Sequence, residues 1–266
     1  MRATRAYVEQ VLSQEELLPN KNLGQNYCVD EGILRQLATA LPLDGRTVLE
    51  IGPGLGGLTE QLLNAGSAVC AVEKDGRLFD FLQRDLNSDR LTLIHGDCLK
   101  TDYGFLLPDF IAAGNLPYCI TTDIVTMLLS LRPAAMLLMV QKEAADRFFA
   151  RPAQKNYGPV AMVSQLYYIP TLLGEVPPEA YIPSPTVTSA LVKLEARRDA
   201  PQESPGSLLK FSSACLRLRR KTLYNTLTGT PELREILSDM GLAENIRGEA
   251  LTPEQLLALY RRLNAF

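Results

Sequence analysis

The stretch TVLEIGPGLGG, residues 47–57, decides the predicted fold, because an apolar strand pattern runs directly into a glycine-rich turn. Gly52, Gly54 and Gly57 have the G-x-G-x-x-G spacing, and residues 57–65 have the apolar spacing of a helix. Such a turn lets backbone approach a ligand closely and points helix N–H groups at it. The glycine pattern alone is also met in plain tight turns and in NAD-binding proteins, so it predicts a nucleotide-type site without naming the ligand.

Outward from this turn, short apolar runs alternate with helical patterns as far as about Glu195. Nearly continuous apolar runs are typical of parallel strands covered on both faces. Their alternation with helices predicts a mostly parallel, doubly wound α/β sheet with right-handed crossovers. The predicted strands are TVLEI (47–51), AVCAV (68–72), LTLIH (91–95), FIAAGN (110–115), AMLLMVQ (135–141) and TSALVKLE (188–195). The predicted helices between them are 57–65, 76–86 and 121–131.

Acidic residues follow two further strand ends. Glu73 lies 21 positions after Gly52 at the end of the second strand, and Asp97 comes just after the third. A carboxylate at the first position can accept hydrogen bonds from both ribose hydroxyls, and one at the second is placed to hold an adenine amino group. Ligands in open α/β sheets bind at the carboxyl ends of the strands. The sequence therefore predicts a cofactor that contains adenosine, whose identity stays open at this point.

The chain changes character after the last predicted strand. Residues 196–206, ARRDAPQESPG, are polar with two prolines and form the best linker candidate. Only helical patterns follow, and Thr252 with Gln255 has the spacing of a capping box. We therefore predict a Rossmann-like domain over residues 1–196 and a small, all-helical domain over residues 206–266.

Charge is distributed unevenly along the 266 residues, whose net charge is −3. Residues 1–180 sum to −6 and residues 181–266 to +3, with a cationic cluster, Arg-Leu-Arg-Arg-Lys, at 217–221. A solvated helix face and a surface that contacts phosphates are both open interpretations of this cluster.

Several protein classes are disfavoured by composition. The five cysteines are scattered without a C-x-x-C pair, and His95 is the sole histidine, so a usual structural zinc site or a histidine-based hydrolase is unexpected. The odd cysteine count favours reduced thiols and a cytoplasmic location. No stretch approaches the roughly 20 apolar residues of a membrane span. The N-terminal 18 residues lack the apolar core of a secretory signal and predict an amphipathic helix.

The fourth predicted strand ends in the tetrapeptide Asn115-Leu116-Pro117-Tyr118. The N6 lone pair of adenine is delocalised and poorly nucleophilic. The Asn115 side-chain oxygen and a backbone carbonyl near Leu116 offer two acceptors for the N6 hydrogens, which would aim that lone pair. Pro117 stiffens the turn, and Tyr118 offers a flat face for an extruded base. Methyl transfer then depends mainly on positioning, whereas the alternative interpretation is a strand-ending turn with a packed tyrosine.

Taken together, these motifs resemble the ribosomal RNA adenine N6,N6-dimethyltransferases of the KsgA/Dim1 type, which are class I S-adenosylmethionine-dependent methyltransferases. The resemblance covers nearly the whole chain. It rests on NLGQNY (22–27), EIGPG (50–54), NLPY (115–118), VQKE (140–143), YIPSP (181–185) with Val187 and Ser189, and RRKTL (219–223).

The resemblance implies a role for each matching residue. The residues implied to bind S-adenosyl-L-methionine are Asn26, Cys28 through its backbone, Gly52, Gly54, Glu73, Asp97 and Asn115. The implied catalytic residues are Asn115, Leu116, Pro117 and Tyr118. The implied RNA contacts are Tyr118, which would stack the target adenine, and Arg219, Arg220 and Lys221. Tyr181, in the proline-rich loop before the last strand, is either the opposite wall of the base pocket or a loop aromatic that covers the sheet edge. Cys28 and Cys119 depart from the residues common in the family, and residues 21–30 are expected to act as a lid over the cofactor.

The implied function is transfer of two methyl groups to each of two adjacent adenosines in a hairpin loop of small-subunit (16S) ribosomal RNA. The expected partner is the immature small ribosomal subunit, with no membrane, no metal and a monomeric enzyme. Three alternatives remain: a macrolide-resistance methyltransferase of large-subunit RNA, a non-catalytic RNA-binding assembly factor on the same fold, and an NAD-dependent oxidoreductase. The motifs at Asn115–Tyr118, Tyr181–Pro185 and Arg219–Leu223 favour the small-subunit enzyme.

Overall fold

The strand pattern predicts a parallel sheet, and the computed structural model contains one. The structure describes residues 2–106, 108–228, 230 and 232–264. The strands are β1 Tyr27–Cys28, β2 Thr47–Ile51, β3 Ala68–Glu73, β4 Leu91–His95, β5 Ile111–Asn115, β6 Ala135–Gln141, β7 Tyr168–Val176, β8 Tyr181–Ile182 and β9 Ser189–Ala196. The α-helices are α1 Arg5–Gln14, α2 Glu31–Ala38, α3 Gly57–Asn64, α4 Gly76–Asp85, α5 Thr121–Leu131, α6 Lys142–Phe148, α7 Pro159–Tyr167, α8 Pro205–Leu216, α9 Leu223–Thr226, α10 Leu233–Asp239 and α11 Pro253–Leu263.

Seven strands form one sheet in the order β4-β3-β2-β5-β6-β9-β7. The strands from β4 to β6 pair in parallel, whereas β9 runs antiparallel to β6. Because β2 has β3 on one side and β5 on the other, the chain order reverses at β2 and leaves a crevice at its carboxyl end. The predicted doubly wound, mostly parallel sheet is therefore confirmed, and the crevice is the place where such sheets bind ligands.

Apolar side chains that alternate with the predicted helical period cover this sheet. One buried cluster joins Leu34 of α2 and Leu62 of α3 to strand residues such as Val48. A second cluster contains Val8 of α1 and Leu82 of α4, which confirms the amphipathic helix predicted near the N-terminus. These helices fix the loops that follow β2 and β3, and those loops carry the candidate site.

Strand β7 was missed by the sequence analysis, and the small sheet of β1 and β8 was missed as well. β7 lies at the edge of the large sheet, most of its residues are at least partly exposed, and it contains Pro170. An edge strand has one neighbour and needs no continuous apolar run. Proline is tolerated in an edge strand because the missing N–H can lie on the side without a neighbouring strand. Its sequence therefore carries a weak strand signal.

The chain divides into two compact units, Met1–Ala145 with Pro170–Glu195, and Asp146–Ile169 with Ala196–Phe266. This division differs from the predicted boundary at residues 196–206, since residues 146–169 belong with the C-terminal helices. In that second unit, Met162 of α7 and Tyr157 share a buried cluster with Cys215 and Leu256. The apolar residues of α7 would have the same helical spacing in either unit, so the sequence pattern does not indicate which unit contains this helix.

Within the described residues, no helix is both long enough and apolar enough to cross a membrane.

A core substitution in α7 tests its assignment to the second unit. Met162 is fully buried, and α7 lies against α8 and α11. We expect Met162→Ala to lower the free energy of unfolding by about 2–5 kcal/mol through the cavity that it leaves. Hydrogen exchange should accelerate first in α8 and α11, with β2 and β3 unaffected. Ile124→Ala, a buried change in α5 of the first unit, is the matched control, and the same exchange pattern in both variants would contradict the assignment.

Candidate active site

A cleft lies at the carboxyl ends of β2, β3, β4 and β5 in the first unit and encloses about 1210 Å³, including space open to solvent. Parallel register places these strand ends side by side, with Ile51 opposite Val72 and Glu73 opposite His95. The cleft wall contains ten residues that the sequence analysis selected: Asn26, Cys28, Gly52, Gly54, Glu73, Asp97, Asn115, Leu116, Pro117 and Tyr118.

The glycine-rich turn after β2 forms the floor of this cleft. Gly52 has φ +67° and Gly54 has φ +61°, in the left-handed region that glycine adopts without strain. A Cβ on Gly52 would meet no atom within 4 Å, so it would project into open space. A Cβ on Gly54 would come within 3.2 Å of the Tyr27 ring. The turn therefore keeps the first position open for a ligand and the second close to the N-terminal segment.

Glu73 is held rigidly at the end of β3. Its Oε2 accepts a hydrogen bond from the Gly54 N–H at 3.1 Å, and its Oε1 accepts one from the Asp75 N–H at 2.8 Å. Burial raises the pKa of this carboxyl, and the backbone N–H groups oppose that shift. Each carboxylate oxygen has a second lone pair, so both can still accept from a pair of vicinal hydroxyls.

Asp97 is fixed by different partners. Its Oδ2 pairs with Lys74 Nζ at 2.9 Å, and its Oδ1 accepts from the Leu99 N–H at 3.0 Å. The hydrogen bond from Lys74 is the main reason that the pKa of Asp97 lies below its ordinary value. Asp97 therefore presents an ionised, oriented acceptor at the cleft.

Glu50 is a site residue to which the sequence analysis gave no role of its own. It lines the cleft and is 1% exposed, and the Thr59 hydroxyl is the side-chain group that acts on its carboxyl, although among the described residues Glu50 Oε2 makes no hydrogen bond of normal geometry. Burial raises the pKa of this carboxyl to about 8. A buried oxygen without such a bond is costly, so the cleft favours a ligand that brings a donor or a positive charge to this point. The signal was present in the sequence as an acid inside an apolar strand.

The residues after β5 link this strand to the N-terminal segment. The Asn115 side chain donates from Nδ2 to the Asn26 carbonyl oxygen at 2.8 Å. This bond uses the donor end of the amide, so the amide oxygen of Asn115 is left to act as an acceptor. Thr121 Oγ1 donates to the Pro117 carbonyl at 3.0 Å and ties the turn to the start of α5. The corner thus offers an oriented acceptor on a rigid turn.

Tyr118 is half-buried, and its hydroxyl lies 2.6 Å from Ser189 Oγ at the start of β9. Tyr181 does not form the predicted opposite wall of the base pocket. It is 1% exposed, is absent from the cleft lining, and packs in the core with β1 residue Cys28. Its buried hydroxyl interacts with the hydroxyls of Ser189 and Tyr118. Pairing of β8 with β1 turns the ring inward, a tertiary effect that the loop sequence does not reveal.

Residues 21–30, predicted as a lid, contribute seven consecutive residues to the cleft wall, Asn22 through Cys28. Gln25 Nε2 donates to Asp75 Oδ2 at 3.0 Å, and Gln25 Oε1 accepts from the Tyr27 hydroxyl at 3.0 Å. Strand β1 pairs with β8, so residues 25–28 of the segment are held by hydrogen bonds to other parts of the unit.

Other predicted residues lie elsewhere. His95 stacks on Phe79 with ring centroids 5.1 Å apart and is outside the cleft lining. Arg219, Arg220 and Lys221 belong to the second unit, and Arg219 is engaged there by the Glu249 carboxylate at 2.9 Å. Across the described residues, no group of histidine, cysteine or acidic side chains is arranged to hold a metal ion.

Comparison with known proteins decides the family. The model of the family described as ribosomal RNA adenine dimethylase matches residues 17–265. The chain belongs to that family. Curated relatives named ribosomal RNA small subunit methyltransferase A include those of Natranaerobius thermophilus, 36% identical over 96% of this chain and 94% of the relative, and Deinococcus radiodurans, 40% identical over 92% and 85%.

Solved structures agree with this family membership. A dimethyladenosine transferase from Plasmodium falciparum has a TM-score of 0.75 and 25% identity, with 89% of this chain and 96% of that chain covered. The 23S ribosomal RNA methyltransferase ErmE has a TM-score of 0.64 and 23% identity, with 89% and 99% covered, and supports the fold alone. The resemblance found in the sequence and the class I methyltransferase fold are therefore confirmed.

The buried Glu50 carboxyl gives a testable pH dependence. The pKa of this carboxyl is 4.5 in the unfolded chain, whereas burial raises the pKa to about 8 in the folded protein. Between these values the folded state binds more protons, so the free energy of unfolding falls as the pH rises. We expect Glu50→Gln to remove that part of the slope in urea unfolding measured from about pH 5 to 8. Glu244→Gln, an exposed change, is the control, and an unaltered slope in Glu50→Gln would contradict the shift.

Proposed function

We propose that this protein transfers methyl groups from S-adenosyl-L-methionine to N6 of two adjacent adenosines in small-subunit (16S) ribosomal RNA. The product is N6,N6-dimethyladenosine in a hairpin loop near the 3′ end, and the reaction is part of small-subunit biogenesis. The observation that carries the proposal is the Asn115–Tyr118 corner in the wall of a cleft that also contains Glu73 and Asp97. The curated relatives named as small-subunit methyltransferases support the choice of RNA.

The cleft residues fit the proposed cofactor. The open space at Gly52 suits an approaching aminocarboxypropyl chain, and the buried Glu50 carboxyl suits its ammonium group. Glu73 would hold the ribose hydroxyls and Asp97 the adenine amino group. The proposed cofactor-binding residues are Asn26, Cys28, Gly52, Gly54, Glu73, Asp97 and Asn115. When bound, the cofactor supplies a methyl group on a sulfonium, which is an electrophile that needs no metal ion.

The proposed chemistry rests on the position of the target amine. The Asn115 amide oxygen and the Leu116 carbonyl would accept the two N6 hydrogens, which draws the nitrogen toward tetrahedral geometry and aims its lone pair. Tyr118 would stack against the extruded base, since unstacked bases in a hairpin loop cost little to extrude. The nitrogen becomes acidic only after alkylation, so its proton can leave to water without a strong base. Holding the reacting atoms about 3–3.5 Å apart then supplies most of the acceleration.

The second transfer to the same nitrogen places a further demand on the corner. A monomethylated N6 has one hydrogen left and can satisfy one of the two acceptors. Either the Asn115 amide oxygen or the Leu116 carbonyl oxygen is then left without a hydrogen bond, which costs about 1–3 kcal/mol if water does not reach that oxygen. The first and second transfers are therefore expected to respond differently to changes at Asn115.

The wider setting is part of the same proposal. The substrate would be the immature small ribosomal subunit in the cytoplasm, and all five cysteines are unpaired as that compartment requires. The protein would act as a monomer with no membrane partner. A large-subunit substrate, as in the macrolide-resistance methyltransferases, and a purely structural role in assembly are outcomes that the experiments distinguish.

The direct test is methylation of purified ribosomal subunits from cells that lack dimethyladenosine in their small subunit. Mass spectrometry of digested RNA should show N6,N6-dimethyladenosine at two adjacent small-subunit positions. Label on large-subunit RNA alone would assign the protein to the other substrate class. RNA binding without any methyl transfer would favour a non-catalytic assembly factor.

Replacing Asn115 tests the catalytic corner. Asn115→Ala removes the oriented acceptor, and we expect kcat to fall about 100-fold or more through loss of positioning. The affinity for RNA should change little, because the phosphate contacts remain. Asn87→Ala, a change at an exposed loop position, is the matched control. A turnover number within a few-fold of the wild type would contradict the role of Asn115.

Replacing Ser189 tests how Tyr118 is positioned. Ser189→Ala removes one hydrogen-bond partner of the Tyr118 hydroxyl, the other being Tyr181, while leaving the ring in place. We expect kcat to fall about 3- to 10-fold, in line with loss of a net hydrogen bond of about 1 kcal/mol, with unchanged affinity for S-adenosyl-L-methionine. Ser189→Thr keeps the hydroxyl and should restore part of the rate. Equal losses in Ala and Thr variants would point to packing instead of this bond.

A further inference from the structure

Gln25 is the centre of a hydrogen-bond network that joins the N-terminal segment to the loop after β3. Its Oε1 accepts from the Asn20 N–H at 2.7 Å and from the Tyr27 hydroxyl at 3.0 Å, and its Nε2 donates to Asp75 Oδ2 at 3.0 Å. These partners fix the orientation of the amide, because a backbone N–H can only donate and a carboxylate can only accept. The Arg77 guanidinium lowers the pKa of Asp75, so the carboxyl that Gln25 binds is ionised.

Tyr27 is fixed between this network and the glycine-rich turn. It is 8% exposed, and its backbone pairs with Ile182 of β8. Its ring lies against Gly54, where a Cβ would come within 3.2 Å of a ring carbon. Burial raises the pKa of the Tyr27 hydroxyl above its ordinary value, so the hydroxyl keeps its proton and donates it to Gln25. Tyr27 therefore contacts Gly54 with its ring and Gln25 with its hydroxyl.

These contacts involve the two residues whose backbone N–H groups hold Glu73. The Gly54 N–H donates to Glu73 Oε2, and the Asp75 N–H donates to Glu73 Oε1. Tyr27 lies against Gly54, and Gln25 binds the side chain of Asp75. Each oxygen of the Glu73 carboxylate is thus bonded to a residue that the N-terminal segment contacts.

Glu73 depends on its donors more than an exposed acid would. It is 5% exposed, and burial raises the pKa of its carboxyl, whereas the backbone N–H groups lower it. Two vicinal ribose hydroxyls need an ionised acceptor with both oxygens in fixed positions. Loosening either donor would therefore weaken the contacts to ribose and leave the other contacts of the ligand unchanged.

We propose that Gln25 and Tyr27 are positioning residues for ribose recognition, and we call this hydrogen-bonded pair the Gln25–Tyr27 clasp. The clasp fixes Gly54 and Asp75, and the N–H groups of these two residues orient the Glu73 carboxylate before a ligand arrives. Orientation in advance lowers the cost of ordering the site on binding. The inference rests on the proposed function for the ligand, because Glu73 holds a ribose only if the cofactor contains a nucleoside.

Two simpler roles of the clasp predict different results. If the clasp only stabilised the fold, its loss would weaken every ligand of the cleft by the same factor. If the clasp acted only by touching the ligand, the Gly54 and Asp75 amides of the free protein would not respond to its loss. The experiments below measure both quantities.

Calorimetric titration with S-adenosylhomocysteine and with its 2′,3′-dideoxy analogue separates a ribose-specific loss from a general one. The wild-type protein should bind the analogue at least about 10-fold more weakly, because two hydrogen bonds to a carboxylate are lost. Gln25→Ala should weaken the binding of S-adenosylhomocysteine about 5-fold, as expected for one net hydrogen bond, and that of the analogue less than about 2-fold. An equal loss for both ligands would overturn the proposal.

Tyr27→Phe removes the hydroxyl and keeps the ring against Gly54, so we expect a ribose-specific loss of about 3-fold. Tyr157→Phe, which removes another hydrogen-bonded hydroxyl of a buried tyrosine in the second unit, is its matched control. Gln10→Ala, an exposed change in α1, is the control for Gln25→Ala. Both controls should leave the two affinities unchanged. Wild-type affinities in Tyr27→Phe would overturn the pairing of Tyr27 with Gln25.

Hydrogen exchange in the ligand-free protein tests the link to the carboxylate. The Gly54 and Asp75 amides should exchange several-fold faster in Gln25→Ala and in Tyr27→Phe, because the residues that carry them are less firmly held. The Leu99 amide, which is bonded to a different acid of the cleft, is the internal control and should exchange at the wild-type rate. Wild-type exchange at both Gly54 and Asp75 would contradict the proposed action through these donors.

Methyl transfer to small-subunit RNA is measured with the same proteins. Methylation by the wild type, together with an equal loss of both ligands in the variants, would refute the clasp alone. A ribose-specific loss without any methylation would refute the proposed reaction alone. A wild-type protein that binds S-adenosylhomocysteine no more tightly than the dideoxy analogue would overturn both the role of Glu73 and the clasp.

Discussion

Parallel pairing of β2 with β3 and β5 is the constraint on which the candidate site depends. Because these strands run in one direction and in register, their carboxyl ends meet at one edge, with Glu73 and Asn115 on either side of the glycine turn. Residues separated by more than 60 positions thereby line one cleft. The buried apolar strands stabilise the fold, so the residues at the strand ends are not required for core packing and can serve the chemistry of the site.

Within the cleft, most polar groups are already held by the protein. Backbone N–H groups orient Glu73, Lys74 orients Asp97, and the Asn26 carbonyl orients the Asn115 amide. Such partners remove the cost of reorganisation when a ligand binds, which is how a site can accelerate a reaction by positioning. Glu50 differs from these groups, because it is fully buried and only the Thr59 hydroxyl acts on its carboxyl, without a hydrogen bond of normal geometry to Oε2.

The second unit carries a net positive charge, whereas the whole chain has a net charge of −3. Its insertion, residues 146–169, packs among the C-terminal helices and carries part of the positive charge. The Arg219 guanidinium donates hydrogen bonds to protein acceptors, whereas the neighbouring Arg220 and Lys221 are exposed.

The sequence alone determined the strand–helix alternation, the glycine turn and the polar residues at the strand ends, because these depend on local periodicity and on motifs that fall where strands end. Asn26 and Cys28 came from the family resemblance. It did not determine that Tyr181 points into the core, that residues 146–169 belong to the second unit, or that β7 completes the sheet edge. Each of these depends on pairing or packing with distant segments, as in the bonds of Arg219. Side-chain types predict which groups are present, and only the tertiary contacts decide which of them are already satisfied and which remain available to a ligand.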